Sequence, residues 1–197
     1  MATLEEVLKS PDQSVRLKAA LAAGTFPDPN QIEVLIKQCA MESDFFVRDT
    51  LSWALMRHDK KTVVELLKVE LQSLNSQARS QALHTLSKIG DKENYALITR
   101  ELLLDEDDYV ASTAWRSASV LVPDDDKPAL VEVLISQLGR GDSDTQFGLT
   151  RFLCAIGQTI VAPLMQAAQS TEEDIRTHAE FTLIRFQEME LEKVKKR

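Results

Sequence analysis

Six stretches of the 197-residue chain repeat one succession of apolar and polar positions. Each opens on an apolar residue, or on threonine in the fifth, and arginine often follows. Two variable positions then precede a small or apolar pair, and two more precede another apolar residue. The openings fall at Val15, Val47, Ala78, Val110, Thr145 and Ile175, so the spacings are 32, 31, 32, 35 and 30 residues. Recurrence at i, i+4 and i+8 is the signature of an amphipathic helix. Acids stand just ahead at Asp12, Asp44, Asp107, Asp142 and Glu172, where a carboxylate caps free N–H groups and meets the helix dipole. Amphipathic stretches at 31–41, 62–74, 95–104, 128–138 and 160–168 predict a second helix between each pair of patterned ones. Pro128 suits a first helical turn, whereas Pro163 marks either a late start or a kink. Thr3 and Glu6 have capping-box spacing, so a short opening helix is expected. Gly24, Gly90 and Gly157 are expected to end their helices in left-handed conformations. The last helix runs on, polar and charged, to Lys195, Lys196 and Arg197, as a terminal repeat does.

Composition agrees with helices: only 6 glycines, 6 prolines and 6% aromatic residues leave little material for sheets. The opening residues lack the basic and apolar regions of a signal peptide. No apolar run approaches the roughly 18 residues of a membrane span. Cys39 and Cys154 form no motif and read as buried, reduced thiols of a cytoplasmic protein. A net charge of −8 argues against nucleic acids and anionic membranes as partners.

The period and the V-R-x-x-A-A motif resemble the HEAT repeat family. The motif is clearest at Val15-Arg16 with Ala19-Ala20, at Val47-Arg48 and at Ile175-Arg176. Ala111 and Gln146 stand where the fourth and fifth repeats should have arginine. The resemblance implies an all-α fold, an α-solenoid of about six antiparallel helix pairs, with the patterned B helices lining a concave side. The repeats would span 1–25, 29–58, 60–90, 92–121, 127–157 and 159–197 in a single domain. It also implies a scaffold or a protein-binding surface, although fold alone does not settle function.

With the first patterned residue as position zero, +4, +5 and +8 cluster on the buried side, and +6 points away from them, flanked by +3 and +10. Position +6 reads Leu21, Trp53, His84, Arg116, Arg151 and Phe181, and +10 includes Arg57, Lys88 and Arg185. Position +3 adds Lys18, Gln81 and His178, and none of these positions holds an acid. The patterned windows contain ten cations against Asp49 and Glu180, a net of +8, so the rest of the chain carries −16. The arginines at +1, Arg16, Arg48, Arg79 and Arg176, are expected to form a structural ladder with loop acids such as Asp12 and Asp44. Trp115 reads as core, and one of Phe45 and Phe46 as a staple on its helix. Trp53 and Phe181 fit either packing or recognition. The candidate binding residues are therefore Trp53, Arg57, His84, Lys88, Arg116, Arg151, Phe181 and Arg185.

No catalytic constellation is legible. His58, His84 and His178 stand at unrelated wheel positions and make no metal-binding pair. Asp105–Asp108 lacks the spacing of a calcium loop, and Cys154 reads as core. The expectation is a non-enzymatic scaffold without cofactor or metal. It would bind an acidic or amphipathic protein segment in the B-helix groove, as a monomer or weak dimer in the cytoplasm. The alternative is a nucleic-acid-binding protein of the alkylpurine DNA glycosylase type, in which Trp53, Asp49, Arg116 and Arg151 would act. A chromophore lyase subunit shares the period without further support.

Overall fold

The structure is a computed structural model that describes residues 2–195, so Lys196 and Arg197 of the expected terminal cap lie outside the described residues. All regular structure among them is helical. The chain divides into two compact units, Met1–Gly90 and Asp91–Arg197. Each holds three patterned helices, and the division falls between the third and fourth repeats.

In the first unit the helices are α1 (Leu4–Leu8), α2 (Gln13–Thr25), α3 (Ile32–Cys39), α4 (Phe45–Leu55), α5 (Lys60–Glu70) and α6 (Ser76–Ile89). Sequence neighbours pack as pairs, and α2 lies against α4. The second unit repeats the arrangement with α7 (Arg100–Leu103), α8 (Asp108–Leu121), α9 (Lys127–Ile135), α10 (Ser143–Ile156), α11 (Val161–Ala167) and α12 (Glu173–Lys195). Here α8, α10 and α12 are successive neighbours. Each unit is a short α-solenoid of stacked helix pairs. Leu51, Leu55, Leu83 and Leu86 lie at the heart of the first, and Trp115, Leu121, Leu134, Leu149 and Leu153 at that of the second.

Local signals place the helix starts. Asp12, Asp44, Asn75, Asp107 and Asp142 each accept a hydrogen bond from an N–H in the first turn of their patterned helix. Thr3 and Glu6 form the reciprocal capping box. Pro163 is the third residue of α11, where the missing N–H would have no intrahelical partner, so it marks a late start. The helix expected at 95–104 is broken into a 3-10 segment, Lys92–Leu97, and the single turn of α7, separated by the β-branched pair Ile98-Thr99, with Ile98 at φ −88° and ψ 85° and Thr99 extended. The helix expected at 62–74 ends at Glu70, leaving Leu74 in an exposed loop.

Two of the glycine expectations need correction. Gly90 is left-handed, with φ 72° and ψ 13°. Gly157 has positive φ but an extended ψ of −154°, outside the left-handed helical region. Gly24 is an interior residue of α2, buried against Trp53. A Cβ there would meet Trp53 Cζ3 at 2.3 Å and the backbone Cα of Ala54 at 2.9 Å. Glycine is needed at Gly24 for close approach of two helices, not for a turn.

The arginines at +1 also differ from the expected ladder, because Asp12 and Asp44 are occupied as caps. Arg16, Arg48, Arg79 and Arg176 each donate from Nη1 to the carbonyl six residues back, at Ser10, Glu42, Ser73 and Ser170 (2.8–2.9 Å). These loop carbonyls lack helical partners, and the guanidinium supplies one. The acid that joins the set is Glu42, which is 2% exposed and takes both Nε and Nη2 of Arg16 at 2.8 Å. The two departures from the motif keep the device by other means. Gln146 donates to the carbonyls of Gly139 and Gly141. Where Ala111 stands, Arg140 reaches the Asp105 carbonyl, the one six residues before Ala111. Arg140 also pairs with Asp108 at 2.8 Å and lies 5.8 Å from the centroid of the Trp115 ring. Trp115 is fully buried and donates from Nε1 to the Leu103 carbonyl, as a core tryptophan must.

Both cysteines are free and buried. Burial pushes the Cys39 thiol up to about 12 and raises that of Cys154. Because the thiolate is the reacting species, neither should be alkylated in the folded protein at neutral pH. Mass spectrometry after brief iodoacetamide treatment should find both unmodified until denaturant is added; rapid native labelling of Cys39 would contradict its packing. No single helix among the described residues is long and apolar enough to cross a membrane. One helix pair, Ser143–Ile156 with Gln158–Ala167, is long and apolar enough when taken together, but it bends by 117° and buries Leu149, Leu153, Ile160 and Leu164.

Candidate functional site

All but one of the candidate residues lie on the patterned helices; Arg57, expected on the helix at +10, falls in the turn after α4, which ends at Leu55. On the first unit, Arg57 is exposed and makes no ion pair among the described residues. Trp53 is half-buried, its ring edge lying on Gly24, so packing explains at least part of it. Lys88 is ion-paired with Asp49 at 2.5 Å, and His84 Nε2 lies 4.0 Å from the same carboxylate. The expectation of a face free of acids is thus corrected: Asp49 sits among the cations and neutralises one of them. That pairing also occupies the acid on which a glycosylase-type site would depend.

The wheel explains the omission. At about 100° per residue, positions +2 and −1 lie only about 40° and 20° from +6, so they belong to the same face. Position +2 contributes Asp49 and Phe147; position −1 contributes Phe46, Tyr109, Asp144 and Asp174. All six are exposed. A wheel extended by one turn toward the N-terminus would have found them. Phe46 does not act as a staple: it and Phe45 are 67% and 65% exposed and meet edge to face at 5.6 Å.

On the second unit Arg116 is half-buried on α8, and burial holds its guanidinium below the usual arginine range. Arg151 on α10 is exposed and makes no ion pair among the described residues. Arg185 on α12 pairs with Glu188 at 2.7 Å. Between the C-terminal halves of α10 and α12 lies a cleft of about 300 Å³, where Arg151 and Arg185 share the lining with Glu188 and Glu192. Between the N-terminal halves lies a second, of about 630 Å³, lined by Phe147, Phe181, Asp144, Glu173 and Asp174 over His178. Phe181 therefore stands among acids, not among the cations beside which its wheel position put it.

His178 is buried, and its partners fix every proton in the cluster. The Gly139 N–H donates to Nδ1 at 3.0 Å, so that nitrogen is bare. Nε2–H donates to Thr150 Oγ1 (3.1 Å), Thr150 donates to Thr182 Oγ1 (2.9 Å), and Thr182 donates to the His178 carbonyl (2.9 Å). Burial depresses the pKa of the imidazole, so folding favours the neutral ring. That contribution is complete above the unfolded value of about 6.5 and is lost as pH falls through the lower folded value. The melting temperature should drop between pH 7 and pH 5, and His178→Gln should flatten that step. An identical pH profile for the variant would show that other groups cause it.

Among the described residues no three His, Cys, Asp or Glu side chains converge as metal ligands.

No protein-family model matches the chain, and none of the curated proteins compared with it matches. Solved structures do. The karyopherin Kap121p, bound to the extreme C-terminus of the protein phosphatase Cdc14p, matches at a TM-score of 0.62 and 18% identity over 94% of this chain. That match spans 23% of the karyopherin, so this chain corresponds to under a quarter of its length. An engineered protein matches at 0.47 and 18% identity, over 95% of this chain and 100% of its own. The complex of CpcE and CpcF of phycocyanin lyase from Nostoc sp. matches at 0.38 and 18% identity, over 95% and 89%. At 18% identity the karyopherin match speaks to fold alone, and the fold it shows is an α-solenoid of helical repeats.

Proposed function

We propose that this chain is a HEAT-type, non-enzymatic scaffold of the cytoplasm that holds an amphipathic protein segment, acidic in part, on the exposed face of its patterned helices. The observation that carries this reading is the row of exposed side chains on that face. Tyr109, Phe147 and Phe181 stand one to a helix on α8, α10 and α12, with Arg151, a cation that has no ion pair among the described residues, beside them. In the first unit Leu21 is exposed on α2, and Arg57, which has no ion pair among the described residues, is exposed in the turn that follows α4. Apolar side chains with interspersed cations suit a ligand with apolar anchors and acidic neighbours, such as an amphipathic helix. A solenoid bound to the end of another protein, as in the karyopherin complex, is a precedent for such use of the fold. Because Asp49 neutralises Lys88 and Glu188 pairs with Arg185, a uniformly acidic partner fits less well than an amphipathic one.

The test begins with proteins retained by the immobilised chain. Arg57→Glu and Arg151→Glu should each weaken retention of a direct partner by about tenfold and make it less sensitive to salt. Charge reversal of Glu65 and Glu132, exposed on the intervening helices α5 and α9, should leave it unchanged. The opposite pattern would place the working surface on the other face.

A further inference from the structure

We infer that the cleft between the N-terminal halves of α10 and α12 is a receptor for a basic side chain, an arginine above all, carried by the bound segment; the inference rests on the docking role proposed for this face. The cleft has three features that together select a guanidinium. Phe147 and Phe181, one from each helix, line it and are 45% and 42% exposed. Asp144, Glu173 and Asp174 also line it, and none of the three has an ion pair among the described residues. The third is room: about 630 Å³ is ample for one long side chain and the backbone that brings it.

Helix dipoles account for part of this, since all three acids lie in the first turns of α10 and α12. The dipole does not account for two exposed phenyl rings in the same cleft, nor for a floor that offers no positive charge. His178 beneath has both ring nitrogens committed and is held neutral by them. An anion entering the cleft would meet three carboxylates. A neutral apolar group would leave those carboxylates partly desolvated and unpaired, which is costly. A guanidinium satisfies both surfaces, because its face stacks on aromatic rings while its edge donates paired hydrogen bonds to carboxylates.

The neighbouring cleft, with Arg151 and Arg185 beside Glu188 and Glu192, differs in charge. The groove between α10 and α12 is therefore graded along its length, from purely acidic at the helix N-termini to mixed toward their C-termini. A segment lying in it would take one direction, with its arginine toward Asp174 and its acids toward Arg151.

Single-residue probes test this without the partner. N-acetyl-arginine methylamide, titrated into the full chain at low salt, should give saturable NMR shifts at Phe147, Phe181 and Thr177. The citrulline analogue, equal in shape but uncharged, should bind at least about fivefold more weakly, and the glutamate analogue should not bind. Glu173→Gln with Asp174→Asn should weaken the arginine probe by about tenfold. Because those acids also stabilise helix starts, Phe147→Leu provides a second variant whose carboxylates are untouched, and it too should weaken the probe. Equal binding of arginine and citrulline, shifts elsewhere on the chain, or no saturation would each overturn the inference. Such a failure would leave the scaffold reading standing, since that reading depends on Arg57 and Arg151 and on a macromolecular partner.

Discussion

Glu42→Ala should destabilise the first unit by about 3 kcal/mol, near the lower end of the cost of breaking a buried ion pair, because the outer edge of Arg16 still meets water. Glu42 lies in the loop between α3 and α4 and is 2% exposed. Its carboxylate takes the fork of Arg16, the amide of Gln38 at 3.1 Å and the N–H of Asp44 at 2.9 Å. Its own carbonyl takes Arg48 at 2.8 Å and Gln77 at 2.7 Å. One residue thus ties together donors from α2, α3, α4 and α6. Removing its side chain strands a guanidinium, an amide and the N–H of the residue that caps α4. Urea denaturation of the variant should show the loss, and replacing Arg16 and Glu42 together by methionine should recover most of it, because no charge is then left without a partner. Burial alone would raise the Glu42 pKa, but the hydrogen bonds from Arg16, Asp44 and Gln38 outweigh it and hold the carboxyl below its usual range. Its contribution is then present above the unfolded value of about 4.3 and is lost as pH falls through the lower folded value. Glu42→Ala should accordingly remove part of the acid-induced loss of stability. A variant as stable as the wild type would mean that the loop rearranges to satisfy Arg16 elsewhere.

Gly24→Ala should destabilise by about 2 kcal/mol, opposite in sign to helix propensity, which favours alanine by about 1 kcal/mol. The new methyl would lie 2.3 Å and 2.7 Å from two ring carbons of Trp53 and 2.9 Å from the Cα of Ala54. The indole could swing aside, but the α4 backbone cannot without separating α2 from α4. Overpacking of this kind costs about 1–3 kcal/mol, and larger side chains cost more, so Gly24→Val should fail to fold the first repeat pair. Trp53→Leu should relieve the part of the penalty due to the ring and leave the part due to the backbone contact with Ala54. A neutral or stabilising Gly24→Ala would show that the two helices are not in the close contact described. The same experiment bears on Trp53 itself: a ring fixed by Gly24 contributes to a binding face only with the part that packing leaves exposed.

The helix pattern was legible because it is local. Asp12, Asp44, Asp107 and Asp142 cap the turns they precede, and Thr3 with Glu6 closes a box within four residues. Trp115 could be placed in the core from its wheel position alone. The break at Ile98-Thr99 escaped notice because one apolar period runs across it. The candidate face was read one turn short, and that omission hid Tyr109, Phe147, Asp144 and Asp174 although the information lay in the sequence; Asp49 was visible there, but not its pairing with Lys88.

Sequence by itself determined the all-α repeat, its period and the starts of its patterned helices, but the outward side only in part, since Gln81 and His178, placed beside it at +3, are buried. What it determined follows from neighbours within about two turns, where the covalent chain fixes the geometry. Only the tertiary structure decided which charges on that side remain available. Asp49 meets Lys88 from 39 residues away, Arg16 meets Glu42 from 26, and Arg140 takes the place of a missing arginine for a carbonyl 35 residues earlier. Such pairings depend on how one helix pair stacks on the next, and an acid or a cation looks the same in sequence whether its charge is spent on a neighbour or left for a partner.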